Sequence, residues 1–207
     1  MSYIAIREFT PYEGKDAVLE VRLKRAMNAM AKHGAMSSLF KVIGGDRSGD
    51  YEIYNWYETV AAGAKAMKGF SSDPEMLAVQ AERAADPIAT INGPWLGRML
   101  HNQRKGDTRT ITIHRDYSIQ RSAVPQMMEL VPDLQKICDG LDIELGVGVP
   151  LISDNHEMMR VVYRFKDLLH WGESMDAVIA DPKFGELVGK ANEIGTLIQS
   201  RLLSKVA

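Results

Sequence analysis

A histidine and an aspartate one residue apart, His114 and Asp116, are the side chains best suited to acid–base chemistry in this sequence. Histidine ordinarily changes charge near neutral pH, and a carboxylate beside it helps it act as a general base. A strand puts both, with Thr112, on one face. The plainer alternative is a hydrogen-bonded strand histidine, because no nucleophile or metal partner accompanies it. Two other strands carry the ligand-binding candidates. In Tyr51 to Glu58, alternation sets Glu52, Tyr54, Trp56 and Glu58 opposite Tyr51, Ile53, Asn55 and Tyr57. In Met159 to Lys166 it sets Arg160, Val162, Arg164 and Lys166 opposite an apolar row. With Ile6, these residues would form a lining that is aromatic and apolar on one side and basic on the other. Such a lining suits a small aromatic or anionic organic ligand. The competing reading is that the charges pair across two packed sheets, Glu52 and Glu58 with Arg160 and Arg164.

Other reactive residue types point away from chemistry. His170 and Glu173 form an H-x-x-E pair at helical spacing, the nearest candidate for holding a haem iron, although such pairs are commonly surface residues. Arg7 and Arg115 stand at equivalent places in two similar segments and would either clamp an anion or pair with helix carboxylates. The stretch Gly44 to Asp50 precedes a strand, so it lacks the helix terminus that a phosphate cradle needs and reads as a hairpin turn. Cys138 lies on an apolar helical stripe and reads as a packing residue. No cofactor and no metal site is expected.

The elements that must position these residues repeat. Tyr51 to Pro74 and Met159 to Pro182 match without a gap at an offset of 108 residues, Asp73-Pro74 falling on Asp181-Pro182. The same offset carries Ile6 to Thr10 onto His114 to Ser118. Each half reads β-α-β-β-α-β, the ferredoxin-like order, with its second helix interrupted at Asp-Pro. The expected division is 1–100 as the first repeat, 101–108 as a polar linker and 109–207 as the second repeat. Within it, Ile88 to Leu96 is a strand cut short by Gly93-Pro94, and Pro125 to Leu141 is one helix. Glu144 to Ile152 is a strand made irregular, and edge-like, by Gly146, Gly148 and Pro150.

Composition excludes several classes of function. The 207 residues are 45% hydrophobic and 25% charged, ordinary for a globular protein. A formal net charge of −2 gives no basic surface for nucleic acid. No apolar run approaches the roughly 20 residues of a membrane span. The opening MSYIAIREFT reads as a first strand, and one cysteine suits a reducing compartment, so a cytoplasmic location is expected.

The segments Tyr54 to Met76 and Val161 to Phe184 resemble the dimeric α+β barrel superfamily, whose members include NIPSNAP-like, antibiotic-biosynthesis-monooxygenase-like and stress-responsive barrel proteins. The resemblance covers essentially the whole chain twice. It implies an α+β fold in which two ferredoxin-like repeats form a barrel within one chain, their sheets face to face, with further homodimerisation open. It also implies functions from cofactor-free oxidation to haem chemistry, but the G-x-x-D-G motif of the superfamily's haem peroxidases is absent. The expected function is binding of a small organic molecule between the sheets, with cofactor-independent oxidation based on His114. The alternatives are a non-catalytic interaction barrel with a filled core and, third, a haem-binding barrel.

Overall fold

The computed structural model describes residues 2–104 and 108–207. In chain order the first half has β1 (Tyr3–Pro11), α1 (Asp16–Lys32), β2 (Met36–Gly45), β3 (Tyr51–Tyr57), α2 (Val60–Phe70), α3 (Pro74–Ala85) and β4 (Ala89–Asn102). The second has β5 (Ile111–Ser118), α4 (Val124–Met128), α5 (Val131–Gly140), β6 (Glu144–Ile152), β7 (Met158–Phe165), α6 (Leu168–Ala180), α7 (Pro182–Ile194) and β8 (Thr196–Lys205).

Local chemistry accounts for the helix boundaries. Thr59 and Asp167 cap α2 and α6 by accepting from Ala62 N and His170 N at 3.0 and 2.8 Å. At both Asp-Pro sites the aspartate caps the next helix, Asp73 accepting from Glu75 N and Asp181 from Lys183 N at 2.9 Å, and the proline takes the first helical position. The helix expected over Pro125 to Leu141 divides into α4 and α5 at Glu129-Leu130. Pro132 explains the break: it has no N–H, and its ring collides with the carbonyl four residues back, at Met128.

The expectation of two separate ferredoxin-like repeats with facing sheets is overturned. All eight strands form one closed antiparallel barrel in the order β1-β3-β2-β8-β5-β7-β6-β4, with seven α-helices among the described residues. Two four-stranded sheets would leave four open edges, each a row of unpaired backbone groups. Here β2 joins β8 (Val42 opposite Leu203) and β4 joins β6 (Met99 opposite Gly148), so no edge is left. At the first seam Gly45 has φ +82°, and a Cβ there would lie 2.1 Å from the Ser200 carbonyl oxygen. Only glycine allows the strands so close.

The second seam depends on the length of β4. Gly93-Pro94 does not end this strand, because the β1–β4 register shifts between Ile6 and Glu8 and absorbs the irregularity as a bulge. The strand therefore continues through Leu96 to Asn102 and takes in His101 and Asn102 of the expected linker. Positions 105–107 of that linker lie outside the described residues. With β7 on one side and β4 on the other, β6 is not an edge.

Helices cover the outside of the barrel. Leu19, Leu23, Met27 and Met30 of α1 pack on Leu39, Tyr51 and Ile53, and Met127, Val131 and Cys138 pack on Ile113, Leu145 and Phe165. Each fully buried large apolar side chain contributes about 1.5–3 kcal/mol. A third cluster, Ile4, Val42, Tyr54, Trp56, Met99 and Leu203, lies inside the barrel. Among the described residues no helix is long and apolar enough to cross a membrane.

Candidate functional site

Strand alternation decides what enters the barrel. From β1 come Ile4, Ile6 and Glu8; β3 pairs with them residue by residue through Trp56, Tyr54 and Glu52. On the other side β5 brings Thr112, His114 and Asp116 opposite Arg164, Val162 and Arg160 of β7. Between the side chains lies a cavity of about 300 Å³, open on one side, which Ile6, Tyr54, Trp56, His114, Arg160 and Arg164 all line. Arg7 and Arg115 lie on the outer, helix-facing side. Arg115 sits 5.6 Å from the Tyr163 ring centre, and Arg7 faces burial and the charge of Arg83.

The first half contributes more than aromatic walls. Buried Glu8 and Glu52 project into the barrel beside Tyr54, and they meet a cation from the last strand. Arg201 Nη1 donates to Glu8 Oε1 at 2.8 Å and to Glu52 Oε1 at 2.5 Å, while its Nη2 lies 3.5 Å from Asp116 Oδ2. Arg160 binds Asp116 through two parallel hydrogen bonds of 2.5 and 2.7 Å, and Gln199 Nε2 donates to the same carboxylate at 2.5 Å. Arg47, from the β2–β3 turn, reaches Glu8 and, at 2.8 Å, Asp50. Three guanidiniums, of Arg201, Arg160 and Arg47, thus hold four carboxylates, of Glu8, Glu52, Asp116 and Asp50, in one network. Burial alone would raise the Asp116 carboxyl, but Arg160 outweighs it and holds the group below the usual carboxylate range. Burial pushes Glu52 upward, and Arg201 and Arg160 pull it back.

This network revises the pairings expected across the barrel. Glu52 belongs to Arg201, Glu58 is exposed at the end of β3, and Arg160 belongs to Asp116. It also separates His114 from Asp116. The Asp116 carboxylate is taken up by Arg160 and Gln199, so His114 turns to Tyr54 instead, with 3.2 Å between Tyr54 Oη and His114 Nδ1. The single Tyr54 hydroxyl proton is donated to Glu52, so its oxygen accepts from Nδ1–H. Nε2 then carries the imidazole lone pair. Burial, reinforced by Arg160 and Arg201, pushes His114 well below its ordinary pKa, so the ring is neutral at physiological pH. Burial and then Glu52 push the Tyr54 phenol well above its ordinary value.

Around Trp56 the site is basic. The guanidinium of Arg164 lies 5.4 Å from the Trp56 ring centre and that of Arg104 5.2 Å. Burial, with Arg104 adding, brings Arg164 down to about 10, so it stays charged at neutral pH. The glycines of β6 make room here, since a Cβ on Gly146 would lie 3.2 Å from Arg164 Nη2 and one on Gly148 3.1 Å from the Met99 sulfur.

Several cavity residues escaped sequence reasoning, above all Arg201 and Gln199. The period-2 pattern of Thr196 to Lys205 groups them with Leu203 on one face, but nothing local says that the face turns inward. His170, the histidine considered for haem, is outside the barrel. Its Nδ1 accepts from Lys166 N at 3.1 Å and its Nε2 donates to the Leu141 carbonyl at 2.8 Å. No cluster of three or more His, Cys, Asp or Glu side chains suited to a metal occurs among the described residues.

The chain thus folds as an α+β barrel, closed and antiparallel, with helices outside and a cavity inside. No sequence-family model and no curated protein matches the chain. Solved structures do. An anthrone oxidase-like protein superposes with a TM-score of 0.68 at 13% identity, covering 100% of this chain and 92% of its own. A monooxygenase-like protein from Listeria innocua gives 0.56 at 10% identity, with coverage of 99% and 94%. A haem-degrading enzyme from Listeria monocytogenes gives 0.52 at 7% identity, covering 98% of each chain. At these identities the likeness concerns the fold.

Proposed function

We propose that the barrel binds a small organic molecule in its cavity and promotes the molecule's oxidation by dioxygen without a cofactor. The observation that carries this reading is a cavity lined by His114, whose Nδ1 is engaged by Tyr54. The likeness to oxidase-like and monooxygenase-like barrels points the same way. In the reaction, Nε2 takes a proton from an activated methylene group of the substrate. The carbanion gives one electron to dioxygen, and the two radicals combine to the peroxide anion. The imidazolium returns its proton to form the hydroperoxide, and loss of water leaves a carbonyl group. Overall, one methylene and one dioxygen give one carbonyl and one water. His114 is a weak base, but the guanidiniums that weaken it also stabilise the carbanion, so substrate acidity rises as base strength falls.

A non-catalytic barrel with a filled core is disfavoured by the cavity. Haem fits poorly: His114 is the histidine that lines the cavity among the described residues, and Arg160, Arg201 and Arg164 surround it. Burial and the guanidiniums, which together keep a proton off the ring, equally oppose a ferric ion there. Native mass spectrometry of freshly purified protein, followed by oxygen-uptake assays on activated methylene compounds, tests the proposal. His114→Gln is expected to lower uptake by about 10²–10⁴-fold. Undiminished uptake by that variant, or absence of binding by every compound, counts against it. A Soret band in the purified protein would favour haem instead.

A further inference from the structure

Arg164 is a buried cation with almost nothing to hold. It is 7% exposed, and its Nη2 has no hydrogen-bond partner among the described residues. Nη1 reaches only Asn102 Oδ1, at 3.5 Å, the outer limit for such a bond. Glu144 stands opposite Arg164 in the β6–β7 register, but its Oε1 accepts from Arg109 Nε at 3.1 Å and its Oε2 makes no bond among the described residues. Arg109 is drawn outward to Asp142 as well, at 2.8 Å. Gly146 leaves room beside the guanidinium, since a Cβ there would lie 3.2 Å from Nη2 and 3.4 Å from Nη1. Glu144 and the Trp56 ring offset only part of the cost of burying this charge, because burial still lowers its pKa and Nη2 makes no hydrogen bond among the described residues.

We infer that the cavity takes an aromatic carboxylate, its carboxylate on Nη2 of Arg164 and its ring between Trp56 and His114. The inference rests on the ligand-binding function proposed above and names its substrate class. A planar guanidinium matches a carboxylate better than a spherical anion, and the Trp56 ring beside it supplies a stacking wall. The distance to His114 then limits the ligand. Arg164 pairs with Thr112, and His114 is two residues further along β5 on the same face. The Cα atoms of such diagonal neighbours lie about 7–8 Å apart. The ligand lies along this face, with its carboxylate at Arg164 and the carbon to be deprotonated at His114.

The test uses the full chain with benzoate, 2-naphthoate, their methyl esters and inorganic sulfate, read by calorimetry and tryptophan fluorescence. We expect a carboxylate to bind the wild type at least 30-fold more tightly than its ester and more tightly than sulfate. Arg164→Met should abolish that preference while keeping ester binding. It should also raise the melting temperature of the ligand-free protein, because the unpartnered charge is gone; a structural ion-pair role would lower it. Gly146→Ala, which retains the charge but displaces it, should reduce the preference and covers the case in which Arg164→Met does not fold. Equal binding of acid and ester, sulfate binding as tight as naphthoate, or a preference that survives Arg164→Met each overturns the inference while leaving the cavity reading intact. If neither acid nor ester binds, both fall together.

Discussion

Tyr54 and His114 lie 60 positions apart in the chain and touch inside the barrel, 3.2 Å between Oη and Nδ1, with ring centres 5.6 Å apart. Neither residue fixes the arrangement alone. Glu52 accepts a hydrogen bond from the tyrosine hydroxyl, the tyrosine oxygen accepts one from Nδ1–H, and Nε2 is left with the lone pair.

His114 makes stability depend on pH in a definite direction. Its pKa is depressed in the folded state, whereas in the unfolded chain it titrates near 6.5. Below about pH 6.5 the unfolded state binds a proton that the folded state refuses. The stabilisation is complete above that value and shrinks as pH falls. The melting-temperature difference between wild type and His114→Asn should therefore narrow from pH 7.5 to pH 5. A difference that stays constant over that range would show that the ring titrates normally.

Arg201 is the hub between Glu8, Glu52 and Asp116. Arg201→Met leaves carboxylates buried without their cation and should cost about 3–5 kcal/mol in urea denaturation. A loss below 1 kcal/mol would mean that the network relaxes around the gap.

Trp56 supplies the apolar wall beside Arg164. Trp56→Ala should weaken binding of any cavity ligand by about 2–4 kcal/mol, seen as a rise in Kd by calorimetry. Unchanged affinity would place the ligand elsewhere.

Burial, with Asp139 adding, pushes the Cys138 thiol up to about 12. The native protein should resist thiol reagents at pH 8 and react once unfolded, and Cys138→Ala should cost about 1–2 kcal/mol. Fast labelling of folded protein would remove Cys138 from the core.

Some of this arrangement is legible in the sequence, for a physical reason. The period-2 pattern of Tyr51 to Tyr57 assigns each side chain to a face, so Tyr54 and Trp56 can be separated from Ile53 and Tyr57 before any contact is known. Contacts across the barrel leave no such local mark. The run TLIQSRLLSK does not announce that its arginine will meet Glu8 or that its backbone will pair with β2. Nor does Asp116 reveal that it will prefer Arg160 to the histidine beside it, since that choice depends on a neighbouring strand. The glycines of β6 mislead for the same reason. Read locally they suggest irregularity, and in three dimensions they make room for Arg164 and Met99.

The seam between β2 and β8 also bears on how the protein is made. Glu8 and its partner Arg201 are 193 positions apart, and β8 follows every other strand in the order of synthesis. While the chain is emerging from a ribosome, β2 has no neighbour on its open side, and Glu8 and Glu52 lack the Arg201 cation. Half a barrel in that condition exposes a pairing edge, a hazard that nascent proteins meet with chaperones. Closure must wait until Thr196 to Lys205 can pair with β2, so the cavity and its charge network are complete only once this strand has joined.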